Sequence, residues 1–161
     1  MKQVITIEQV KESTSISLEQ YTLPARQMLF AGHPRYILSV QRADYDAFII
    51  KKDNEVIGVF ALDRGDILNK IDAPRTAVYL RGLSIDYKHQ GSGVLKEAMP
   101  LIETYIKSNY ADVMAIYLMV NVKNDAYYAF IKRGFIDQKM MVRQGLSRLK
   151  VLKKTINNVP D

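Results

Sequence analysis

The chain has no cysteine and no tryptophan, and its 161 residues include only two histidines, His33 and His89. The missing cysteine removes disulfide scaffolds, thiolate-ligated zinc, iron–sulfur clusters and cysteine nucleophiles from consideration. No apolar stretch approaches the ~20 residues that cross a bilayer. Met1 to Val10 alternate apolar and polar side chains where a secretory leader would carry an unbroken apolar run. These absences predict a soluble, cytoplasmic protein with no membrane partner. Long basic runs are missing too. The net charge of +6 is spread along the chain, with doublets at Lys51-Lys52, Lys132-Arg133 and Lys153-Lys154. With no reading helix, aromatic platform or zinc motif beside it, that charge does not point to nucleic acid. It suits a solvated surface, or an anionic ligand drawn in by the summed field.

What is present is enough apolar content, 48%, for one compact domain spanning residues 1–161. Repeats, low-complexity tracts and interdomain linkers are not found. Gln3 to Ile7 reads as a short edge strand. Ser17-Leu18-Glu19-Gln20 has the form of a capping box, which predicts a helix from about Leu18. Pro24 would divide that helix into two pieces, the second ending near Gly32-His33-Pro34. Ala47–Ile50 and Val56–Leu62 form a hairpin about Lys51-Lys52-Asp53-Asn54, and a polar loop runs from Asp63 to Arg75. Val78–Ile85 is a strand. Val94, Leu95, Ala98, Leu101, Ile102, Tyr105 and Ile106 then recur at helical spacing, with Pro100 inside that helix predicting a kink. Met114–Val120 is an apolar strand, Ala126–Lys132 a short helix, and Phe135–Val142 and Leu149–Ile156 are closing strands about Gln144-Gly145.

The segment between the central strand and the long helix carries the chemistry. In Gln90-Gly91-Ser92-Gly93-Val94-Leu95 two glycines stand where the first turn of a helix leaves its NH groups without partners. Such a turn favours an anion and lets a phosphate approach the backbone closely. The third glycine of a dinucleotide fingerprint is absent, and no P-loop lysine follows.

These residues resemble the Q/R-x-x-G-x-G/A signature of the GNAT N-acetyltransferases, with Leu95 at the usual glycine or alanine position. An alternative register, Lys88 to Gly93, keeps both glycines and begins on lysine. Downstream, Asn121-Val122-Lys123-Asn124-Asp125-Ala126 and Phe130-Ile131-Lys132-Arg133-Gly134-Phe135 are similar to the family's N-x-x-N-x-x-A…Y-x-K-x-G-F block, one residue shorter. The resemblance covers roughly Ala47 to Val142. It implies an α/β (α+β) fold with a mixed, mostly antiparallel central sheet, helices on both faces and one splayed strand pair. It also implies acetyl-CoA as co-substrate, without a metal, and transfer of the acetyl group to a primary amine of a small molecule or peptide.

Carried over by position, Leu83, Ser84 and Ile85 would pair with the pantetheine arm. Gln90, Gly91, Ser92, Gly93, Val94 and Leu95 would hold the pyrophosphate, and Asn121 or Asn124 would reach the arm. Asn124 has a second role open to it as a helix N-cap. The family's usual acid, a tyrosine, is replaced by Phe130, or by Ile131 in the other alignment. Tyr127, one turn earlier on the same helix face, is the expected proton donor. Tyr79 stands where many relatives carry a glutamate base, and Arg81 is a candidate for a substrate carboxylate or a surface ion pair. His33 reads as a cap or solvated residue, and His89 as a neighbour of phosphate. The competing function is a catalytically weak acyl-CoA-binding or sensing domain. The acceptor and the oligomeric state are left open.

Overall fold

The computed structural model describes residues 4–14 and 16–156. In chain order these hold β1 (Ile5–Gln9), α1 (Ala25–Ala31), α2 (Pro34–Ser39), β2 (Tyr45–Lys52), β3 (Glu55–Asp63), α3 (Ile67–Lys70) and β4 (Ala77–Ile85). A 3-10 turn (Tyr87–His89) leads to α4 (Val94–Asn109), β5 (Ala115–Asn121), α5 (Ala126–Lys132), β6 (Ile136–Gln144) and β7 (Ser147–Thr155). The fold is α+β, with a mostly antiparallel sheet in the order β1-β2-β3-β4-β5-β7-β6. By its internal contacts the chain forms two compact units. One is the chain up to Leu62 with Arg81–Thr104, the other Asp63–Leu80 with the chain from Tyr105 onward.

In the first unit, β2 and β3 are joined by Asp53 and Asn54, whose φ values of 49° and 66° make a two-residue turn of the mirror-image kind. That twist matches the twist of the flanking strands, and Asp and Asn tolerate it better than branched residues. Phe48 on β2 and Phe60 on β3 stack with ring centroids 4.9 Å apart, both inaccessible to solvent. The expected edge strand is found as β1, paired only with β2 in the strand order; Gln3 lies outside the described residues. Gly82, inside β4, has φ +63°, and a Cβ there would run into the side chain of Ile37. The strand therefore needs glycine at this point for both conformation and space.

The helix expected from Leu18 does not form. Residues 18–24 run as a turn and extended chain, with Tyr21 N donating to Leu18 O at 3.1 Å. The segment is bound instead to the end of β4. Tyr21 Oη lies 2.7 Å from Ser84 Oγ, Thr22 N and Oγ1 donate to Asp86 Oδ1 at 3.2 and 3.3 Å, and Tyr87 N donates to Thr22 O at 2.8 Å. Pro24 also disfavours helical backbone at Leu23. The first helix thus starts after the proline rather than before it. It ends as expected, on Gly32 at φ +88°, but Pro34 then opens a further helix, α2, which the sequence reading lacked. Proline suits the first turn because its missing NH would have had no partner there.

In the second unit, β4 and β5 pair in parallel over only three residues, Ala77–Tyr79 with Ala115–Tyr117. A parallel neighbour requires a long crossover, which α4 supplies. β5 continues along β7 to Asn121, opposite Leu149. The stretch expected as an unstructured polar loop contains α3, because Leu68 and Ile71 bury themselves in a cluster with Ala77, Tyr79, Tyr117 and Val151. α4 continues without interruption through Pro100, an exposed position. Val94, Ala98, Met99, Ile102 and Ile106 form its buried stripe.

Candidate active site

The first unit carries the glycine turn. Asp86, at the end of β4, is inaccessible to solvent and serves as its anchor. Its backbone NH donates to Ile57 O on β3 and its carbonyl accepts from His89 N, both at 2.8 Å. Its Oδ1 takes the two Thr22 donors described above. Oδ2 has no hydrogen-bond partner among the described residues, but Lys88 Nζ lies 3.5 Å away. The same ammonium is 3.5 Å from Glu55 Oε1, and His89 Nε2 is 3.7 Å from that oxygen. Glu55, Asp86 and His89 bring ligand atoms within 4.8 Å of one another. Lys88 supplies positive charge to both carboxylates from within the chain. His89 accordingly faces Glu55.

After this anchor the chain makes the turn itself. Gly91 and Gly93 have φ values of 76° and 85°, and a Cβ at either would meet nothing within 4 Å. The approach to their backbone is open. The first helix-type bond of α4 is Glu97 N to Gly93 O at 3.1 Å, so the NH groups of Val94, Leu95 and Lys96 precede the helical ladder. That leaves a set of donors at the positive end of a sixteen-residue helix, an arrangement suited to phosphate. Gln90 does not point its amide at this space. Its Nε2 donates to Ile85 O at 2.8 Å and to Gln27 Oε1 at 2.6 Å, while Gln27 Nε2 returns a 3.2 Å bond to Gln90 Oε1. The side chain thus ties the turn to β4 and α1, and any contact of Gln90 with a ligand is left to its backbone.

Upstream on β4, Ser84 is buried and Leu83 and Ile85 are half-buried. Burial pushes the Tyr21 phenol well above its ordinary value; the bond to Ser84 opposes that rise and the Asp86 charge adds to it. Arg81 is half-buried on the same strand, and Tyr79 is buried in the α3 cluster.

The second unit carries the asparagines and Tyr127. Asn121 Oδ1 accepts from Lys123 N and Asn124 Oδ1 from Ala126 N, each at 2.9 Å. Asn124 therefore holds the NH of Ala126, the first residue of α5, from one position ahead of the N-cap, Asp125, whose side chain makes no cap bond. Both asparagines spend an oxygen locally, which leaves their amide nitrogens as the groups able to reach a ligand. Phe130 packs edge-on against Phe135 with centroids 5.6 Å apart. Tyr127, half-buried, donates to Asp137 Oδ2 on β6 at 3.0 Å, while Lys150 Nζ sits 4.6 Å from its ring centre and 3.9 Å from the same carboxylate oxygen. The hydrogen bond to Asp137 raises the phenol's pKa, with smaller contributions from desolvation and charge. Asp137 moves the other way, chiefly through the NH of Lys139, which donates to its Oδ1 at 2.9 Å. Tyr128 is exposed and meets the Tyr127 ring edge-on.

Four participants escaped the sequence reading: Tyr21, Thr22, Gln27 and Asp137. The one signal pointing to any of them is Thr22's partner Asp86, a carboxylate directly after an apolar strand and before a glycine turn.

The sequence model of the acetyltransferase (GNAT) family matches residues 12–135, which takes in the glycine turn, both asparagines and Phe130. The chain belongs to that family. It is accordingly an acyltransferase of the N-acetyltransferase class, with acetyl-CoA as co-substrate. An uncharacterized N-acetyltransferase, YbbJ, from Bacillus subtilis (strain 168) is 28% identical over 142 residues, 86% of this chain and 89% of that protein. Among solved structures, the spermidine N-acetyltransferase from Vibrio cholerae in complex with CoA and spermine aligns with a TM-score of 0.69 at 16% identity, over 94% of this chain and 95% of the other. A GNAT family acetyltransferase from Elizabethkingia anophelis with acetyl-CoA bound gives 0.65 at 14% identity, over 94% and 98%. At those identities the structural likeness is one of fold. No helix among the described residues is long and apolar enough to cross a membrane.

Proposed function

We propose that the chain moves the acetyl group of acetyl-CoA to a primary amine of a small molecule or peptide by direct attack, as one acetyltransferase domain of residues 1–161 working in the cytoplasm. The observation that carries this reading is the open glycine turn ahead of α4, where Gly91 and Gly93 leave a path to free backbone NH groups. The pyrophosphate would lie on the backbone of Gln90, Gly91, Ser92, Gly93, Val94 and Leu95. The pantetheine arm would run along Leu83, Ser84 and Ile85, and the amide nitrogens of Asn121 or Asn124 would meet it. The Vibrio cholerae relative is named for spermidine, a small primary amine, which supports an amine acceptor of that general kind.

In the reaction the neutral amine attacks the thioester carbonyl, a C–N bond forms, the C–S bond breaks, and coenzyme A leaves as a thiolate that takes up a proton. Tyr127 is the proposed donor. Phe130 favours the second reading, a domain that binds acyl-CoA with little turnover, because the residue at the usual acid position has no hydroxyl. Thiol release separates the two. With acetyl-CoA and a panel of primary amines, free thiol should accumulate only when an acceptor is present. Tight acetyl-CoA binding with no thiol released by any amine would return the chain to the binding or sensing class.

A further inference from the structure

Residues 18–35 curl around a cleft of ≈ 120 Å³ in the first unit. Its apolar wall is made by Leu18, Leu23, Met28 and Pro34. An apolar cavity of ~150 Å³ accepts a benzene-sized group; this cleft is smaller, opens to solvent and is as polar as it is apolar along its wall, so it suits one branched aliphatic side chain held beside polar groups. Among the described residues the polar ones at the cleft are Tyr21, His33 and Arg35, and no carboxylate lines it. His33 Nδ1 accepts from Arg35 N at 3.1 Å, so a neutral ring carries its proton on Nε2 and presents a donor. The exposed Arg35 guanidinium has no ion-pair or hydrogen-bond partner among the described residues. Tyr21 connects the cleft to β4 through its 2.7 Å contact with Ser84.

A polyamine would bring several ammonium groups to a cleft that already holds a cation and offers no anion. An amine that also carries a carboxylate meets the opposite situation, because a guanidinium pairs a carboxylate through two parallel bonds. We propose that this cleft receives the acceptor, and that the acceptor is a free amino acid whose aliphatic side chain fills the apolar wall while its carboxylate pairs with Arg35. The inference rests on the acetyl-transfer reading above and gives it a substrate class. The step balances as amino acid ammonium plus acetyl-CoA giving N-acetyl amino acid, coenzyme A thiol and one proton released to solvent. The α-amine nitrogen bonds the acetyl carbon as the C–S bond breaks.

The test measures binding and turnover separately. L-leucine, leucine methyl ester, spermidine and a leucine-initiated tripeptide are titrated into CoA-saturated protein, then assayed for thiol release from acetyl-CoA, in the parent and in Arg35→Glu. Arg35 is exposed, so the variant keeps its fold, which a thermal melt verifies. Leucine should bind about tenfold or more tightly than its ester, as expected for losing a hydrogen bond to a charged group, and Arg35→Glu should remove that preference. Equal binding of leucine and ester, no leucine binding, tighter binding of spermidine or tripeptide, or an unaltered Arg35→Glu variant would each overturn the assignment. Leucine binding that depends on Arg35 without thiol release would keep the cleft and defeat the acetyl-transfer reading. Thiol release with another acceptor, unchanged in Arg35→Glu, would do the reverse.

Discussion

Gly93→Glu is expected to weaken acetyl-CoA binding by about 100-fold or more, since a like charge set against a bound anion costs several kcal/mol and each 1.4 kcal/mol is tenfold. The effect follows from the place of Gly93 in the chain. It sits at φ +85° with nothing within 4 Å of a Cβ, so a side chain added there leaves the packing alone and projects into the space a pyrophosphate would use. The carboxylate would also occupy the positive end of α4, competing for the same NH groups. A non-glycine residue at this φ carries a backbone cost of roughly 1–2 kcal/mol. Gly93→Ala carries that cost without the charge, and serves as the control. The alanine variant should lose stability in a denaturant titration yet bind acetyl-CoA within about tenfold of the parent, while the glutamate variant loses both. Titration calorimetry showing equal affinity in the parent and Gly93→Glu would reject the turn as the pyrophosphate site.

Tyr127→Phe should lower kcat by about 100-fold, the low end for general acid catalysis, with acetyl-CoA affinity nearly unchanged. Its hydroxyl bonds Asp137 Oδ2 at 3.0 Å, so donation to a thiolate requires that bond to be exchanged. The carboxylate holds the phenol above its ordinary pKa, which keeps it protonated at neutral pH and also makes it a weaker acid. Asp137→Asn therefore gives the opposite expectation from Tyr127→Phe. With the anion removed, the phenol returns toward its ordinary value and is released to donate, so kcat should hold or rise. Tyr128→Phe, on the exposed side of α5, should leave kcat unchanged. Should Tyr127→Phe turn over at the parental rate with an acceptor for which chemistry is limiting, the acid is water or the substrate, and Tyr127 serves as a tie between α5 and β6.

The parts legible in the sequence are those fixed by local pattern. α5 occupies the expected Ala126–Lys132, and β2 and β3 bracket a turn that Asp53 and Asn54 announce by residue type. The glycine turn follows a strand and opens a helix as read. What failed at Ser17 to Leu23 failed for a physical reason. A capping box is a local preference worth about 1 kcal/mol, and it lost to four contacts with Ser84, Asp86 and Tyr87, more than sixty residues away. The role of Gln90 was hidden in the same way, since its partner Gln27 lies 63 positions earlier. Asp137, by contrast, is only ten residues from Tyr127. It stayed hidden because helix-face arithmetic cannot see the strand packed alongside. His33 was read as a cap and is one, but for the helix that follows it.

The proposed reaction moves an acetyl group directly from coenzyme A to an amine nitrogen, with no covalent intermediate on the chain. Following an isotopically labelled acetyl group from acetyl-CoA, with an acceptor chosen by thiol release, tests this most directly. In direct transfer the label ends on the amine nitrogen in step with the thiol released, and none is found on the protein when acceptor is withheld. Label on the protein before acceptor is added, or label recovered only as free acetate, would contradict it.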